Sequence, residues 1–346
     1  MEPLSICRPL GIIFYFFLWG KKYYWHKYRR VALQPYKSKP QTFVTAKMNP
    51  LFLLYKMIEH KLFPPADTQT SFSGKTVLVT GANTGLGFEA AVKFAKLGAS
   101  SLVLAVRTQE KGEQAKRDIL IQSGRTDPSF IHILLFDMLS YPSIQSLAKQ
   151  ASVLPSLDIA VVNAGIFATK HETSPYGYEK DIQVNTLSTV LLSLLLIPKM
   201  KASKTSTFTP TLEIVSSGTH KIMRLSEHDQ TSSQPLTQIN SPSHKWSPNF
   251  QYSASKLFLM CALPHIAKQG EGKDGRPEVV VTSCCPGFTK SDIHRDVSVW
   301  WVKPIVAAIA NVLFRTTEQG ARTLVSGALV GEKGHAGFWQ HDVIQP

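Results

Sequence analysis

Tyr252 and Lys256 stand four positions apart in the run Tyr-Ser-Ala-Ser-Lys, where the sequence predicts the opening of a helix. Residues at this spacing lie on one helical face, so the phenol and the ammonium group can share a site. A phenol has a pKa of about 10, and a neighbouring ammonium lowers it towards the range useful for proton transfer. Such a pair can give a proton to a carbonyl oxygen while a hydride reaches the carbonyl carbon. In the reverse reaction it takes the proton from an alcohol. The alternative is an ordinary exposed helical pair, because the spacing is common by chance.

Two further polar residues stand where they can complete this site. Ser217 follows the apolar run Thr211 to Val215, which predicts a strand, and its hydroxyl can hold a substrate oxygen as an oxyanion donor does. Asn185 lies in residues 178–200, which predict a long apolar helix, and can orient a water that links Lys256 to solvent. The alternative for Asn185 is a satisfied polar group in the core or at an interface.

The stretch KTVLVTGANTGLG predicts a strand, a glycine-rich turn and a helix start. Glycine permits positive φ and close approach of a ligand, and a helix start offers free N–H groups to an anion. We therefore predict a cradle for the diphosphate of a dinucleotide. Its contacts are Gly81, Thr84, Gly85, Leu86 and Gly87. The spacing differs from the commonest dinucleotide fingerprint, so a tight turn without a ligand is the alternative.

Two residues at strand ends bear on which dinucleotide binds. The predicted second strand, Ser101 to Val106, offers no acid for the ribose 2′-hydroxyl of NAD, and Arg107 follows it. An Arg at this place accepts the 2′-phosphate, which favours NADP(H) as the cofactor; an exposed surface Arg is the alternative. Asp137 ends the third strand, Phe130 to Phe136, where its carboxylate can accept from the adenine amino group or cap the next helix.

Two turns complete the candidate cofactor site, one after each of two predicted strands further along the chain. They contribute Asn163, Ala164, Gly165, Pro286, Gly287 and Thr289. The small Asn-Ala-Gly end lets a flat ring approach the backbone. Tyr252 and Lys256 also belong to this set, because Lys256 is long enough to hydrogen-bond the nicotinamide ribose. We predict no metal site.

Strands and helices alternate through most of the chain, which is typical of an α/β fold with a parallel sheet covered on both faces. We predict one doubly wound, Rossmann-type domain over residues 74–346. An N-terminal extension, 1–47, and a short amphipathic helix with its linker, 48–73, precede it. The segment 218–250 has no clear period and predicts a long loop at the rim of the substrate pocket. The apolar run 297–314 favours a lid or pocket wall.

The net charge of +14 lies largely in the N-terminal extension, where nine basic residues and one acid give +8. The other 299 residues carry only +6, and no recognition motif is present, so we predict no nucleic-acid partner. Residues 10–19 are apolar and aromatic but fall short of the about 20 residues that a span needs. Basic residues follow them, which favours contact with an anionic membrane surface. A short tilted span and an unstructured extension are the alternatives.

The four cysteines show neither a disulfide framework nor metal-binding spacing. They are Cys7, Cys261, Cys284 and Cys285. A reducing, intracellular compartment is therefore expected, either the cytoplasm or the cytosolic face of a membrane such as the endoplasmic reticulum.

The order of these motifs along residues 73–340 resembles the short-chain dehydrogenase/reductase family. TGANTGLG resembles its cofactor motif, Asn-Ala-Gly its sheet-stabilising motif and YSASK its catalytic motif. The resemblance implies a mainly parallel sheet of about seven strands, and family members are often homo-oligomers. It implies a catalytic tetrad of Asn185, Ser217, Tyr252 and Lys256.

The runs FSGKTVLVTGANTGLG and AVRTQEKGEQAKRDI are similar to the retinol-dehydrogenase-like branch, which generally prefers NADP, and to fungal secondary-metabolite reductases. The expected activity is NADP(H)-dependent interconversion of a carbonyl and an alcohol. Phe288, Trp300 and Trp301 favour a hydrophobic small molecule as substrate, in a secondary-metabolite or lipid/isoprenoid pathway. A catalytically silent NADP-binding scaffold of a membrane-associated pathway is the alternative, although the intact tetrad argues against it.

Two departures from the family pattern stand out. Val162 takes the place where the sheet-stabilising motif usually has a further Asn, which removes a polar contact but no catalytic group. The 35 positions from Ser217 to Tyr252 exceed the gap in most members, which leaves the substrate class open.

Overall fold

Short runs of buried, largely β-branched residues form the centre of one sheet in this computed structural model, which describes residues 50–226, 232–241, 244–290 and 313–345. The strands are β1 (Thr76–Thr80), β2 (Ser101–Val106), β3 (Ile131–Leu135), β4 (Ile159–Val162), β5 (Thr211–Val215), β6 (Val280–Cys284), β7 (Phe338–Gln340) and β8 (Val343–Gln345). Their spatial order is β3-β2-β1-β4-β5-β6-β7-β8. All neighbouring strands are parallel except β7 and β8.

Helices cover both faces of the sheet, as the alternating pattern predicts. They are α1 (Pro50–Leu62), α2 (Gly85–Lys96), α3 (Gln109–Ser123), α4 (Tyr141–Ser152), α5 (Thr189–Ala202), α6 (Thr219–Ile222), α7 (Pro235–Ile239), α8 (Pro248–Gly270) and α9 (Thr317–Gly327), with a π-helix at Ile182–Ser188 and a 3-10 turn at Glu332–Gly334. Helices α4, α5 and α8 pack into one apolar core, and α2, α3 and α9 pack into the other. The doubly wound α/β fold is confirmed.

The strand order places the functional end of the sheet. The chain winds from β1 outward through β2 to β3, and then returns to the other side of β1 as β4. Ligands of open α/β sheets bind at the carboxyl ends of the strands where the order reverses. Here that point lies between β1 and β4. The glycine turn follows β1, and the Asn-Ala-Gly turn follows β4.

The sheet has eight strands rather than the seven that the resemblance implies. The residues after Gly337 form a hairpin, with β8 antiparallel to β7. His341 and Asp342 connect the two strands with φ of 54° and 58°. Two positive φ values in a two-residue connection match the twist of paired strands, so this turn closes the sheet edge without glycine.

The prediction of a long loop at 218–250 is wrong over part of its length. Helices α6 and α7 lie within it, and α8 begins at Pro248, four residues before Tyr252. The Ser247 hydroxyl caps α8 by accepting from the Phe250 N–H, and Pro248 occupies the first turn. The Ser-Pro pair is a helix-start signal that fixes the true boundary.

The long apolar helix predicted at 178–200 is a π-helix continued by α5. Within the described residues, its stretch Ile182–Ala202 is the one helix long and apolar enough to cross a membrane, but 78% of that window is buried inside the protein. The segment 1–47 and most of the apolar run 297–314, including Trp300 and Trp301, lie outside the described residues.

Candidate active site

The turn between β1 and α2 has the geometry of an anion cradle. Gly81 and Gly85 have φ of 66° and 60°, in the left-handed region that favours glycine. Thr84 is the N-cap of α2, but its side chain makes no capping hydrogen bond, so the first N–H groups of the helix are not satisfied by it. Leu86 is partly buried against the apolar core that α2, α3 and α9 form. This arrangement suits a diphosphate at the helix start.

Gly87 is fixed by close packing rather than by its φ. A Cβ added there would stand 2.5 Å from Asn163 Nδ2 and 2.5 Å from the Gly81 carbonyl oxygen. Both neighbours belong to the cradle, so a side chain at this position cannot be accommodated without moving the cradle.

Gly87→Ala is therefore expected to weaken NADPH binding at least about tenfold and to lower the free energy of unfolding by about 1–3 kcal/mol, the usual cost of overpacking. Titration of intrinsic fluorescence and urea unfolding measure the two effects. Gly218→Ala is the matched control, since its added Cβ would lie 3.7 Å from the nearest atom, Gln340 Nε2. Unchanged NADPH affinity in Gly87→Ala would contradict the cradle.

Thr80 joins the ends of β1 and β4 beneath the cradle. Its hydroxyl accepts from the backbone N–H groups of Asn163 and Ala164, both at 2.9 Å. The Asn163 side chain in turn donates to the Thr80 carbonyl oxygen at 2.9 Å. These contacts give Asn163 a structural role, and sequence reasoning missed Thr80, whose place as the last residue of β1 was the available signal.

Arg107 and Asp137 stand at the ends of β2 and β3. Arg107 is exposed directly after β2, whose last residue, Val106, is buried. Asp137 does not cap α4: the cap is the hydroxyl of Ser140, and the Asp137 carboxylate instead accepts from the Leu139 N–H at 2.9 Å. Of the two alternatives for Asp137, the structure therefore disfavours the helix cap.

The turn after β6 is held next to the cradle. Gly287 has a φ of 78°, and the Thr289 hydroxyl donates to the carbonyl oxygens of Pro286 and Gly287 at 3.2 and 3.3 Å. Thr289 and Leu86 both lie within 2.8 Å of the Cβ position of Gly320, at 2.7 and 2.8 Å respectively. A glycine of α9 thus lets this turn and the start of α2 converge.

Tyr252 and Ser217 meet by a side-chain hydrogen bond, although 35 positions separate them. The Tyr252 ring also lies 5.3 Å from the ring of Phe167, centroid to centroid. Burial raises the pKa of the Tyr252 phenol, and the hydrogen bond from Ser217 only partly offsets this. This is contrary to the expectation that Lys256 lowers this pKa: the net shift is upward, burial is its largest cause, and Lys256 is not among the groups that lower it. Tyr252 is consequently a neutral phenol, the form that can donate a proton.

Lys256 is 4% exposed and crosses to the end of β5, where its Nζ donates to the Val215 carbonyl oxygen at 3.0 Å. Its Nζ lies 5.9 Å from the centroid of the Tyr252 ring. Burial lowers the pKa of the Lys256 ammonium to about 8, which places its titration near neutrality.

Asn185 lies in the π-helix, a helix type that often marks functional sites. Its side chain accepts from the Ile166 N–H and donates to the Ile166 carbonyl oxygen, both at 2.9 Å, and also donates to the Ser255 hydroxyl at 3.1 Å. Gly165 lies between Asn185 and Lys256, because its Cβ position is 3.0 Å from Asn185 Oδ1 and 3.8 Å from Lys256 Nζ. Asn185 therefore holds the backbone beside Lys256.

The described residues contain no group of three or more His, Cys, Asp or Glu side chains placed to hold a metal ion. Of the catalytic candidates, Asn185 and Lys256 lie beside Gly165 of the Asn-Ala-Gly turn, and Ser217 contacts Tyr252. Gly81 and Gly87 of the cradle lie beside Asn163 of the same turn. Arg107 and Asp137 stand at neighbouring strand ends, on β2 and β3.

A Rossmann-type sheet with this Ser-Tyr-Lys cluster defines an oxidoreductase of the nicotinamide-dependent class. The family model described as short chain dehydrogenase matches residues 75–208. The chain is 41% identical over 283 residues to the short-chain dehydrogenase/reductase ffsI of Aspergillus flavipes, covering 81% of each chain. It is 38% identical over 305 residues to phmF of Phaeosphaeria nodorum, covering 88% of this chain and 87% of that protein. The chain belongs to the short-chain dehydrogenase/reductase family.

Solved structures share the fold at lower identity. L-sorbose reductase of Gluconobacter frateurii, solved with NADPH and L-sorbose, superposes with a TM-score of 0.57 at 19% identity, over 79% of this chain and 97% of that one. A chain from Shigella flexneri solved with NADP gives 0.56 at 20% identity, over 80% and 100%. The similarity to fungal short-chain reductases is confirmed, whereas the retinol-dehydrogenase-like branch stays a prediction.

Proposed function

We propose that the protein is an NADP(H)-dependent reductase that converts the carbonyl group of a hydrophobic small molecule into an alcohol. The observation that carries the proposal is the arrangement of the Tyr252 phenol, which is hydrogen-bonded to Ser217 and close to the buried Lys256. A phenol in its protonated form is the acid that carbonyl reduction needs.

The chain fits the proposed cofactor at several places. The left-handed turn at Gly81 and Gly85, and the uncapped start of α2, suit the diphosphate. Arg107 is proposed to pair with the 2′-phosphate, Asp137 to accept from the adenine amino group, and Lys256 to donate to the nicotinamide ribose. When bound, the reduced nicotinamide supplies the hydride that adds to the carbonyl carbon.

The side chains of the site account for the proton that accompanies this hydride. Ser217 donates a hydrogen bond to the carbonyl oxygen and so stabilises the negative charge that develops there. Tyr252 transfers its proton to the same oxygen, which becomes the hydroxyl of the alcohol, and is left as a phenolate. The positive charge of Lys256 stabilises that phenolate until solvent returns the proton.

The substrate class is proposed from the aromatic surroundings of the site. Phe167 packs beside Tyr252, and Phe288 follows directly after Gly287. Since the relatives reported above are fungal short-chain dehydrogenases, a secondary metabolite, or a lipid or isoprenoid, is the proposed kind of molecule.

A screen of apolar ketones and aldehydes tests this function, with loss of NADPH fluorescence as the signal. We expect turnover of a subset of apolar carbonyls with NADPH. Lys256→Met should abolish that turnover, and the exposed Lys111→Met on α3 should leave it unchanged. Binding of neither NADPH nor NADH would contradict the proposal, whereas binding of NADPH without turnover of any carbonyl would favour the silent NADP-binding scaffold.

We also propose peripheral contact with an anionic membrane, on the cytosolic side, through residues 1–47 and α1. The last residue of helix α1, Leu62, and the residue after it, Phe63, have exposed apolar side chains, at 66% and 72%. The buried Arg315 ties the end of this helix to the body by donating to the carbonyl oxygens of His60 and Phe63. The basic charge of the preceding extension complements anionic lipid.

The double variant Leu62→Gln/Phe63→Gln is expected to lower binding to vesicles containing phosphatidylserine about tenfold, since two apolar side chains no longer leave water. Co-sedimentation of the full chain measures this. The control is Ile121→Gln/Val153→Gln, which removes apolar side chains of 77% and 81% exposure elsewhere on the surface. Equal binding of both double variants would contradict a membrane role for α1.

A further inference from the structure

Thr219, the first residue of α6, binds the hydroxyl of Ser217 through two of its groups. Its backbone N–H donates to Ser217 Oγ at 3.3 Å, and its own hydroxyl donates to the same oxygen at 3.1 Å. The reaction described above uses Ser217 but gives no role to Thr219. Two donors that converge on a reacting hydroxyl restrict the hydrogen bonds that this hydroxyl can still make.

The backbone of this turn is held independently of the Thr219 side chain. The N–H of Gly218 donates to Cys285 Sγ at 3.2 Å. Nδ1 of the buried His220 lies 2.6 Å from the Ser217 carbonyl oxygen, and because a carbonyl only accepts, Nδ1 carries the hydrogen. A change confined to the Thr219 side chain is therefore expected to leave the turn in place.

The two bonds from Thr219 use the whole capacity of Ser217 to accept hydrogen bonds. A serine hydroxyl offers two lone pairs and one hydrogen. Since an N–H and a hydroxyl already donate to it, Ser217 Oγ has only its own hydrogen left for a further partner. Ser217 is thus a donor, and not an acceptor, towards the Tyr252 side chain that it meets.

The direction of this hydrogen bond matters for the proton of Tyr252. In the proposed reduction, the substrate oxygen receives a hydrogen bond from Ser217 and the proton from Tyr252, so both hydroxyls must direct their hydrogens at it. If Ser217 kept an open lone pair, the Tyr252 hydroxyl could donate to it and turn its proton away from the substrate. The filled lone pairs of Ser217 prevent this unproductive arrangement.

We propose that Thr219 is a positioning residue that fills the acceptor sites of Ser217, and so makes Ser217 a hydrogen-bond donor only and keeps the proton of Tyr252 for the substrate oxygen. This inference deepens the proposed function and rests on it, because Ser217 and Tyr252 act on a carbonyl oxygen in that reaction. Thr219 acts through Ser217 and is not itself a catalytic residue.

The first test compares two substitutions of Thr219 in the full chain, with an apolar carbonyl found by the screen. Thr219→Val keeps the shape of the side chain and removes its donor, and we expect kcat to fall about tenfold, the effect of one hydrogen bond. KM and the Kd for NADPH should change little. Thr219→Ser keeps the donor and should retain the kcat of the wild type.

Thr207→Val is the matched control, because it removes an exposed threonine hydroxyl from the loop before β5. It should leave kcat unchanged. An unchanged kcat in Thr219→Val, or an equal loss in Thr219→Ser, would overturn the proposal.

A double-mutant cycle separates action through Ser217 from a general effect on the fold. In the Ser217→Ala background, which retains Tyr252 and Lys256, Thr219→Val should lower kcat no further, because the hydroxyl that it acts on is gone. A further tenfold loss in that background would show that Thr219 supports the fold rather than Ser217, and would overturn the proposal.

Neutron diffraction from deuterium-exchanged crystals of the wild type tests the same inference without substrate, cofactor or variant. We expect the deuterium of the Thr219 hydroxyl to point at Ser217 Oγ, and that of Ser217 to point away from Thr219. A Ser217 deuterium directed at Thr219 Oγ1, or a Tyr252 deuterium directed at Ser217 Oγ, would overturn the proposal. Because this measurement needs no turnover, a chain that reduces no carbonyl can still show the arrangement, and an active enzyme can still lack it.

Discussion

Tyr252→Phe is expected to lower kcat for an apolar carbonyl by about 10²–10⁴, the usual contribution of a positioned general acid. The change removes one oxygen and leaves the ring, so packing against Phe167 is kept. NADPH affinity should change little, because the phenol hydroxyl binds Ser217 and the reacting oxygen rather than the diphosphate. Single-turnover kinetics with a carbonyl found by the screen, together with NADPH titration, separate the two effects.

The control for this variant is Tyr178→Phe, which removes a partly buried phenol outside the site. It should keep the turnover of the wild type. Full activity in Tyr252→Phe would show that another group donates the proton. Burial raises the pKa of Tyr252 and lowers the pKa of Lys256 to about 8, so we expect activity to fall near pH 8 as Lys256 loses its proton. Variants that leave Lys256 unchanged should show the same alkaline midpoint.

The parts of the fold predictable from the sequence are those decided by local pattern. Strands β2 and β5 have the predicted bounds, Ser101–Val106 and Thr211–Val215, because continuous apolar runs between turns are typical of buried parallel strands. The helix carrying Tyr252 was predicted, but its start depends on the cap at Ser247 and not on apolar period. The hairpin of β7 and β8 escaped prediction because its turn has neither Gly nor Asn.

The candidate site also has features that the sequence predicts and features that it does not. Residue types and their order along the chain predicted the Ser217, Tyr252 and Lys256 cluster, although the contact that joins Ser217 to Tyr252 spans a long insertion. The protonation states of Tyr252 and Lys256 could not be predicted from residue type, because the sequence shows which charged residues are near but not how far burial removes each group from water. For the same reason the burial of Asp181, one of the 24 acids of the chain, could not be predicted from the sequence.

Replacing Arg107 with Ala is expected to raise the Kd for NADPH about 10- to 100-fold and to leave the Kd for NADH nearly unchanged. A hydrogen bond to a charged group contributes about 1.5–3 kcal/mol, and about 1.4 kcal/mol is a factor of ten in affinity. The selectivity arises because NADH lacks the 2′-phosphate that Arg107 is proposed to hold. Titration of intrinsic fluorescence with each dinucleotide measures both constants.

The exposed position of Arg107 gives its proposed contact with the 2′-phosphate a second measurable property, a dependence on salt. The side chain is exposed after β2, so its attraction for a phosphate is screened by salt, and NADPH affinity should fall as ionic strength rises. Arg107→Ala should lose most of that salt dependence, whereas the exposed Arg117→Ala on α3 should retain it. Val106, 1% exposed, leaves no acid at the end of β2 to favour NAD. Equal or tighter binding of NADH by the wild type would therefore show that a group other than Arg107 selects the cofactor.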